Sequence, residues 1–555
     1  MGGRSVAATV AFAACVSVVA ALVLDPPAAA VLRNTLVLAA VTVLTALPLG
    51  IALAWLLTRT DLPGRRAFAA AGIAALFVPL YLHAAAWQAG FGLQGWAVQA
   101  WSTPPWMEGW FAAVWVHALA AVPWTVLFAS IGFRAIEPEL EEQAMLDAPP
   151  RRVALYVTAR NALPALVAAA GWTAIAASTE ISVTDLFGIR TFAEEVYTAR
   201  ALGTSDLAGW PAVVVGLAAV LWLVAAGMAV GRMVPAIRPP SFRPLPTFPL
   251  GRAKPWAIAA AVTAVGALVA VPVGNLVYWA GIKITQTDVG LARSWSPIKA
   301  IATVVAAPIR FRREFAVSFA LAAAAATLAT LAAGLAAWLL RQGRFRGIVA
   351  VTLAAIALAV PGPLLGIGLI HLLNRPEVPG LTYLYDHSMV APCLALTIRG
   401  LGPALLILWF ALRTFPAAPL DAATLDGAGP AARFGRIVFP ARRAAFAAAW
   451  LTALAVSLAE VSASILVMPP GPTTVAIRIF GLLHYGVHDQ VAGICLAQAG
   501  LSAVLALVVC IPFRQSWRPE PVARPRFARP QPIGVASLAI ENGGQSVRSP
   551  AFRRK

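Results

Sequence analysis

The chain has 555 residues, of which 60% are hydrophobic and 12% charged, with a mean hydropathy of +0.79 and a net charge of +19. A soluble domain is closer to half apolar and a quarter charged, so composition excludes an ordinary water-soluble enzyme or binding module. The basic residues fall in short segments between apolar runs and at the C-terminus, where inner-side membrane loops carry them, which excludes nucleic acid as a partner.

Apolar runs of bilayer-spanning length recur along the chain. In lipid the backbone must satisfy its own hydrogen bonds, which at this run length means helices and not a barrel. Met1 to Leu24 reads as an uncleaved first span; the alternative is a signal peptide cut at Ala28-Ala29-Ala30. Spans are expected next at 35–58, 67–88 and 110–133. A polar break at 137–164 follows, reading EEQAMLDAPPRRVALYVTARNALP from Glu141 to Pro164. Spans at 165–187 and 211–231 close a first unit, 1–231. A Pro/Arg-rich stretch, 232–255, is expected to be an unpacked cytoplasmic linker.

The second unit, 256–513, repeats the plan with spans at 256–280, 315–340, 347–373, 389–412, 443–467 and 491–513. Between the first two of these lies an external stretch, 281–313, with six basic residues; it is a translocated segment long enough to escape the charge rule, an interfacial helix, or a patch facing an acidic partner. A second polar break, 416–440, again falls between the fourth and fifth spans and reads DAATLDGAGPAARFGRIVFP from Asp421 to Pro440. The basic segment 514–555 is rich in Arg, Pro, Gly and Ser and reads as a disordered tail. The expected fold class is an all-α polytopic membrane protein, with about twelve transmembrane helices in two pseudo-equivalent six-helix halves and both termini inside.

The two polar breaks match each other. Glu142 corresponds to Asp421, Ala144 to Ala423 and Asp147 to Asp426. In the second break Asp426-Gly427 stops a helix, because glycine takes the positive φ such a turn needs. The first break has Ala148 there, followed by Pro149, and Asn161 where the second has Pro440. The pattern Asp421-Ala422-Ala423, Asp426-Gly427-Ala428, Phe439-Pro440 resembles the cytoplasmic coupling loop, or EAA motif, of permease subunits of binding-protein-dependent ABC importers. That resemblance implies an L-shaped pair of short helices that docks on a separate ATPase subunit. It assigns coupling to Glu141, Glu142, Ala144, Asp147 and Ala148 in the first loop. In the second it assigns coupling to Asp421, Ala422, Ala423, Asp426 and Gly427. It implies as partners a cytoplasmic ABC ATPase dimer and a periplasmic or lipid-anchored substrate-binding protein, with membrane lipid around the spans. The location would be the bacterial inner (plasma) membrane.

The segments Ile181–Arg200 and Ala459–Gly486, above all Pro469-Pro470-Gly471, Thr473-Thr474 and Val475-Ala476-Ile477-Arg478, resemble fused permeases of the ferric iron type. Relatives for thiamine, phosphonate, sulfate or polyamine share much of the plan. An ion-gradient-driven secondary transporter is the rival from another class; it also uses repeats and buried carboxylates but needs no coupling loops.

The chain contains no G-x-x-x-x-G-K-[ST], so it has no P-loop ATP site, and no enzymatic activity or cofactor is expected. Cys15, Cys393, Cys495 and Cys510 are widely spaced and read as small apolar filler. His484 and His488 have i, i+4 spacing, but Gly486 lies between them and no metal site is expected. Polar groups inside spans usually face a bundle interior or a transport path. On that ground Glu180, Asp185, Arg399, Glu460 and Ser462 are the candidate path residues, with His117 a further buried polar group.

Overall fold

The computed structural model describes residues 26–203, 246–287, 290–485 and 488–516. The spans expected at 1–24 and 211–231, linker residues 232–245 and the tail beyond Ser516 lie outside the described residues. Among the described residues seven helices are long and apolar enough to cross a membrane, or nine if each of two bent pairs forms one span. The last helix, His488–Ser516, adds a shorter apolar stretch, Asp489–Leu505. The architecture is that of a helical multi-pass membrane protein.

Two of the expected spans are broken rather than straight. Arg65–Leu76 and the segment from Leu80 meet at 105°, and the pair that ends Phe345–Ala359 and opens Gly362–Leu373 meets at 95°. Pro79 and Pro361 stand at the bends with extended backbones. Proline disfavours helical geometry in the residue before it, and Val360 is indeed extended.

Three helices of each polar-break region pack on one another. Pro26–Arg59, Gly109–Arg134 and Ala159–Thr179 form one bundle; Arg312–Leu340, Val390–Arg413 and Phe439–Ala459 form another. The seam of the second bundle is Ala322, Ala326, Ala329, Ala333 and Ala337, all fully buried. In lipid the hydrophobic effect does not draw helices together, so close approach of small residues supplies the packing. The bent pieces cross between bundles. Leu80–Phe91 packs on Val475–Tyr485, and Gly362–Leu373 packs on Phe192–Ala201. Matching bonds anchor the exchanged helices. The Phe192 N–H donates to Thr35 Oγ1 at 2.8 Å, and the Val475 N–H donates to Ser318 Oγ at 2.8 Å.

Four expectations are corrected. The helix expected to run through 165–187 stops at Thr179, and the one expected through 443–467 stops at Ala459, so Glu180 and Glu460 sit at breaks. The linker is not unpacked throughout: the Phe248 N–H donates to the Arg59 carbonyl at 2.8 Å, and Lys254 pairs with Asp61 at 2.7 Å. The stretch 281–313 is not helical throughout: an antiparallel hairpin, Ile282–Thr287 with Gly290–Trp295, precedes its helix, Pro297–Arg310. Finally, the step from Asp426 to Pro430 is one residue longer than the matching step from Asp147 to Pro150, so Arg160 and not Asn161 stands opposite Pro440.

The alanine seam gives a direct test. Ala329→Leu should destabilise the solubilised protein by about 1–3 kcal/mol through overpacking. Leu331→Ala, at an exposed position, should stay within about 0.5 kcal/mol. Thermal midpoints in one detergent compare the two.

Candidate functional site

Each polar loop is a short helix, a turn and a second helix that runs on into a span. In the first loop these are Pro138–Asp147 and Pro150–Val153; in the second they are Ala417–Leu425 and Pro430–Arg433. A five-residue π turn joins loop to span in both, Ala154–Thr158 and Phe434–Val438. Pro150 and Pro430 open the second helices, where a missing N–H is harmless. The turns differ. Gly427 has φ +79°, its N–H donates to Thr424 O at 3.1 Å and that of Ala428 to Ala423 O at 2.8 Å, which is a Schellman cap. Ala148 is instead extended (φ −141°) and its N–H donates to Ala144 O at 3.0 Å, with Pro149 also extended. The first loop therefore turns through two extended residues, without a left-handed one.

The loop residues divide by exposure. Glu142, Asp147, Asp421, Ala422, Asp426 and Gly427 are exposed, Ala144 and Ala148 are half-buried, and Ala423 is buried. Leu146 and Leu425, at the ends of the first helices, are 85% and 89% exposed. Glu141 is the exception. It is fully buried, ion-paired with the equally buried Arg59, and accepts a hydrogen bond from Thr158 Oγ1 at 2.6 Å. Arg59 ends the helix Pro26–Arg59 and also lies over the Phe248 ring, 5.6 Å from its centre. The second loop fills the corresponding corner with apolar residues: Leu420 and Val438 belong to one buried cluster with Leu412. Glu141 thus holds the first loop to its bundle; it is not part of the loop's outer surface.

Glu180 and Glu460 end their helices with extended backbones (φ −95° and −82°). Both carboxylates turn back onto the chain that follows. Glu180 accepts from the N–H groups of Ser182 at 2.7 Å and Val183 at 3.0 Å, and from the Ser182 hydroxyl. Glu460 accepts from the Ala463 N–H at 2.8 Å. Each also faces a basic group from the neighbouring helix of its bundle. His117 Nε2 lies 4.0 Å from Glu180, and Arg399 Nε lies 3.5 Å from Glu460. His117 Nδ1 is 2.7 Å from the Ala113 carbonyl, which places the proton of a neutral ring on Nδ1. Arg399 Nη1 donates to the Leu358 carbonyl at 3.2 Å.

The two turns touch. The Ile181 N–H donates to Ser462 Oγ at 3.3 Å. Gly362 abuts Ser462 so closely that a Cβ there would fall 2.4 Å from the serine Cβ. Thus Glu180, Arg399, Glu460 and Ser462 come together. Asp185 stands apart and bonds His484 Nε2 at 3.1 Å, joining Ser182–Leu186 to Val475–Tyr485. Arg59, Thr158 and His484 are the functional neighbours that the sequence reading did not pair. Their contacts with Glu141 and Asp185 span too many residues for any local pattern to mark them. Among the described residues no group of three or more His, Cys, Asp or Glu side chains could hold a metal ion.

Two expectations follow. Glu141→Gln should leave Arg59 buried without its counter-charge and cost about 3–5 kcal/mol, whereas the triple change Arg59→Leu, Glu141→Leu, Thr158→Val should recover most of that loss, following the apolar second corner. Unfolding midpoints at neutral pH distinguish them. Separately, the bond to Asp185 raises the half-exposed His484 imidazole above its ordinary value of 6.5. A raised imidazole contributes stability below the unfolded value and loses it as pH rises through the folded one. The difference in midpoint between the wild type and His484→Gln should therefore be largest below about pH 6 and vanish in the alkaline range.

No protein-family model matches the chain, and no curated protein matches it.

Proposed function

We propose that the chain is the membrane permease of a binding-protein-dependent ABC importer, with two six-span transmembrane domains fused in one polypeptide, and that its cargo is a cation, ferric iron being the one its resemblance implies. The observation that carries this reading is the pair of loops. Two segments built alike, helix, turn, helix and π turn, each hold an exposed leucine at the tip. An exposed large apolar side chain at the same place in both marks a surface for a partner. A two-fold ATPase would supply two such seats.

The mechanism follows from how each loop is joined to the centre. Helical structure runs from Pro150 to Thr179 and, with one kink at Arg442 (φ −113°), from Pro430 to Ala459, 30 residues in each case. At the helical rise each segment covers about 45 Å along its path. One end carries the loop and the other carries Glu180 or Glu460. Movement of a loop with its ATPase subunit would therefore shift a carboxylate turn, and the Ile181–Ser462 contact is where the two turns would part. ATP hydrolysis belongs to the separate subunit, and this chain makes and breaks no covalent bond. At the two turns Glu180 and Glu460 stand against one arginine, Arg399, with His117 4.0 Å from Glu180, which favours a cationic cargo.

Purification through an affinity tag in mild detergent should retain a P-loop ATPase, and the double variant Leu146→Asp, Leu425→Asp should release it while staying in the membrane. Gly427→Ala places an L-residue at φ +79°, with no steric clash of its Cβ, and should cost about 1–2 kcal/mol of local strain. It should lower transport-linked ATP hydrolysis more than Ala148→Gly does. Uptake driven by an ion gradient without ATP would instead support a secondary carrier.

Ferric iron uptake by whole cells tests the path. Glu180→Gln removes a charge that no arginine balances, and should lower uptake several-fold at normal expression. Glu460→Gln strands the buried Arg399 and should destabilise the protein by about 3–5 kcal/mol. Arg399→Leu combined with Glu460→Leu should restore stability without restoring uptake. Full uptake by Glu180→Gln would reduce that carboxylate to a helix cap.

A further inference from the structure

The helix Pro297–Arg310 is inside out. Its inward face carries Ala300, Thr303 and Ala307, and its polar groups are used there: Thr303 Oγ1 donates to the Ala280 carbonyl at 3.1 Å, and Lys299 Nζ bonds the Ile282 carbonyl. Its outward face is apolar throughout. Ile298, Ile301, Val305 and Ile309 are 62 to 78% exposed, with Ala302 and Ala306 between them. These positions follow helical spacing, so they form one stripe. A helix in water shows the opposite arrangement. At 14 residues it is about 21 Å long, too short to cross a hydrocarbon core of about 30 Å.

Its position says what covers the stripe. The helix lies against the ends of two spans, at Ala280 and at Gly493, whose Cβ would meet Thr303. Only Phe311 separates it from the span Arg312–Leu340. That span's other end, Leu340, accepts a hydrogen bond from Trp409 beside the second loop, so the helix stands at the end opposite the loop. The span presents Phe319, Leu328, Leu331 and Leu335 outward, and the exposed stripe continues this apolar surface. At the junction Arg310, Arg312 and Arg313 are all exposed, and the helix itself carries no acidic residue. An exposed tryptophan, Trp295, closes the hairpin at the other end of the helix. Apolar stripe, flanking arginines and terminal tryptophan are the parts of an amphipathic helix seated at a membrane surface.

We propose that Pro297–Arg310 is an interfacial helix in the leaflet opposite the polar loops, with Ile298, Ile301, Val305 and Ile309 among the acyl chains and Arg310, Arg312 and Arg313 on the phosphates of anionic lipid. This explains why so basic a stretch stands on the side that usually carries fewer basic residues. It rests on the chain spanning a membrane and is independent of what is transported. An acidic protein partner would engage the arginines but would leave the isoleucine stripe unexplained.

The test uses the full chain in nanodiscs, with the four native cysteines replaced by alanine and a single cysteine at Ile301 or Val305 carrying an environment-sensitive fluorophore. Ala302→Cys, on the same face, is the second position in case the larger side chains are needed for folding. In discs of phosphatidylcholine and phosphatidylglycerol the probe should be quenched by nitroxide placed near the top of the lipid chains and not by aqueous iodide. The thermal midpoint should rise with phosphatidylglycerol content, and Arg310→Gln, Arg312→Gln, Arg313→Gln together should abolish that rise. Quenching by iodide and not by lipid nitroxide would overturn the proposal. Protection that grows with the number of chains per disc would assign the stripe to a second copy instead. Protection found only in native membranes, and not in pure-lipid discs, would assign it to a protein partner.

Discussion

A helix that ends within a membrane bundle leaves backbone groups without partners, and no water is at hand to take them. That constraint organises the centre of this protein. Gly109 and Val390 open the helices that carry His117 and Arg399, and those side chains lie about 12–14 Å along their axes. Glu180 and Glu460 meet them there, at points where two other helices stop. Glu180 accepts two N–H groups of the turn it begins and Glu460 accepts one, so one side chain both ends a helix and starts the next piece of chain. A neutral side chain could satisfy these donors less well, since the charge strengthens each bond. The charge then needs its own neighbour, which is an arginine, Arg399, at 3.5 Å from Glu460 and a histidine, His117, at 4.0 Å from Glu180. The Glu180 side is therefore the less compensated of the two. The broken helices at Pro79 and Pro361 complete the centre by carrying the chain across it, and Gly362 allows the second to pass close against Ser462.

The two loops show one construction secured in two ways. Arg59, Glu141 and Thr158 lock the first through a buried ion pair, to which Phe248 adds a backbone bond and an aromatic face. Leu420, Val438 and Leu412 fill the corresponding corner of the second with apolar packing, beside which Arg442 donates to the Thr414 carbonyl. A buried ion pair adds little net stability over well-packed apolar groups, but losing one partner is severe. The first loop is thus the one whose seating depends on a single contact. The turns invert this. The second depends on Gly427 and its left-handed backbone, whereas the first uses Ala148 and Pro149 in conformations open to most residues. The two loops would answer differently to the same substitution even though both carry an exposed leucine at the tip.

Much of this was legible in the chain itself. Apolar run length determined where helices form, because a backbone in lipid has no alternative. Glycine and proline chemistry determined the turn at Gly427 and the helix start at Pro430. The recurrence of Glu180 and Glu460 after the two polar loops marked them as a pair. Run length could not show that the helices stop at those glutamates, because a break capped by a side chain leaves the apolar pattern intact on both sides. Nor could it show the bends after Leu76 and Ala359, where proline could equally have kinked a span without folding it over. Residues 246–253 looked like linker by composition, but tertiary contacts with Arg59 and Asp61 fixed them in place. What only the tertiary structure decided were contacts between residues far apart in sequence: Arg59 with Glu141, Ile181 with Ser462, Asp185 with His484. Local pattern reports a residue's own preference for lipid, water or a turn. Which charge meets which is set by how the helices cross, and that depends on the packing of many small side chains at once.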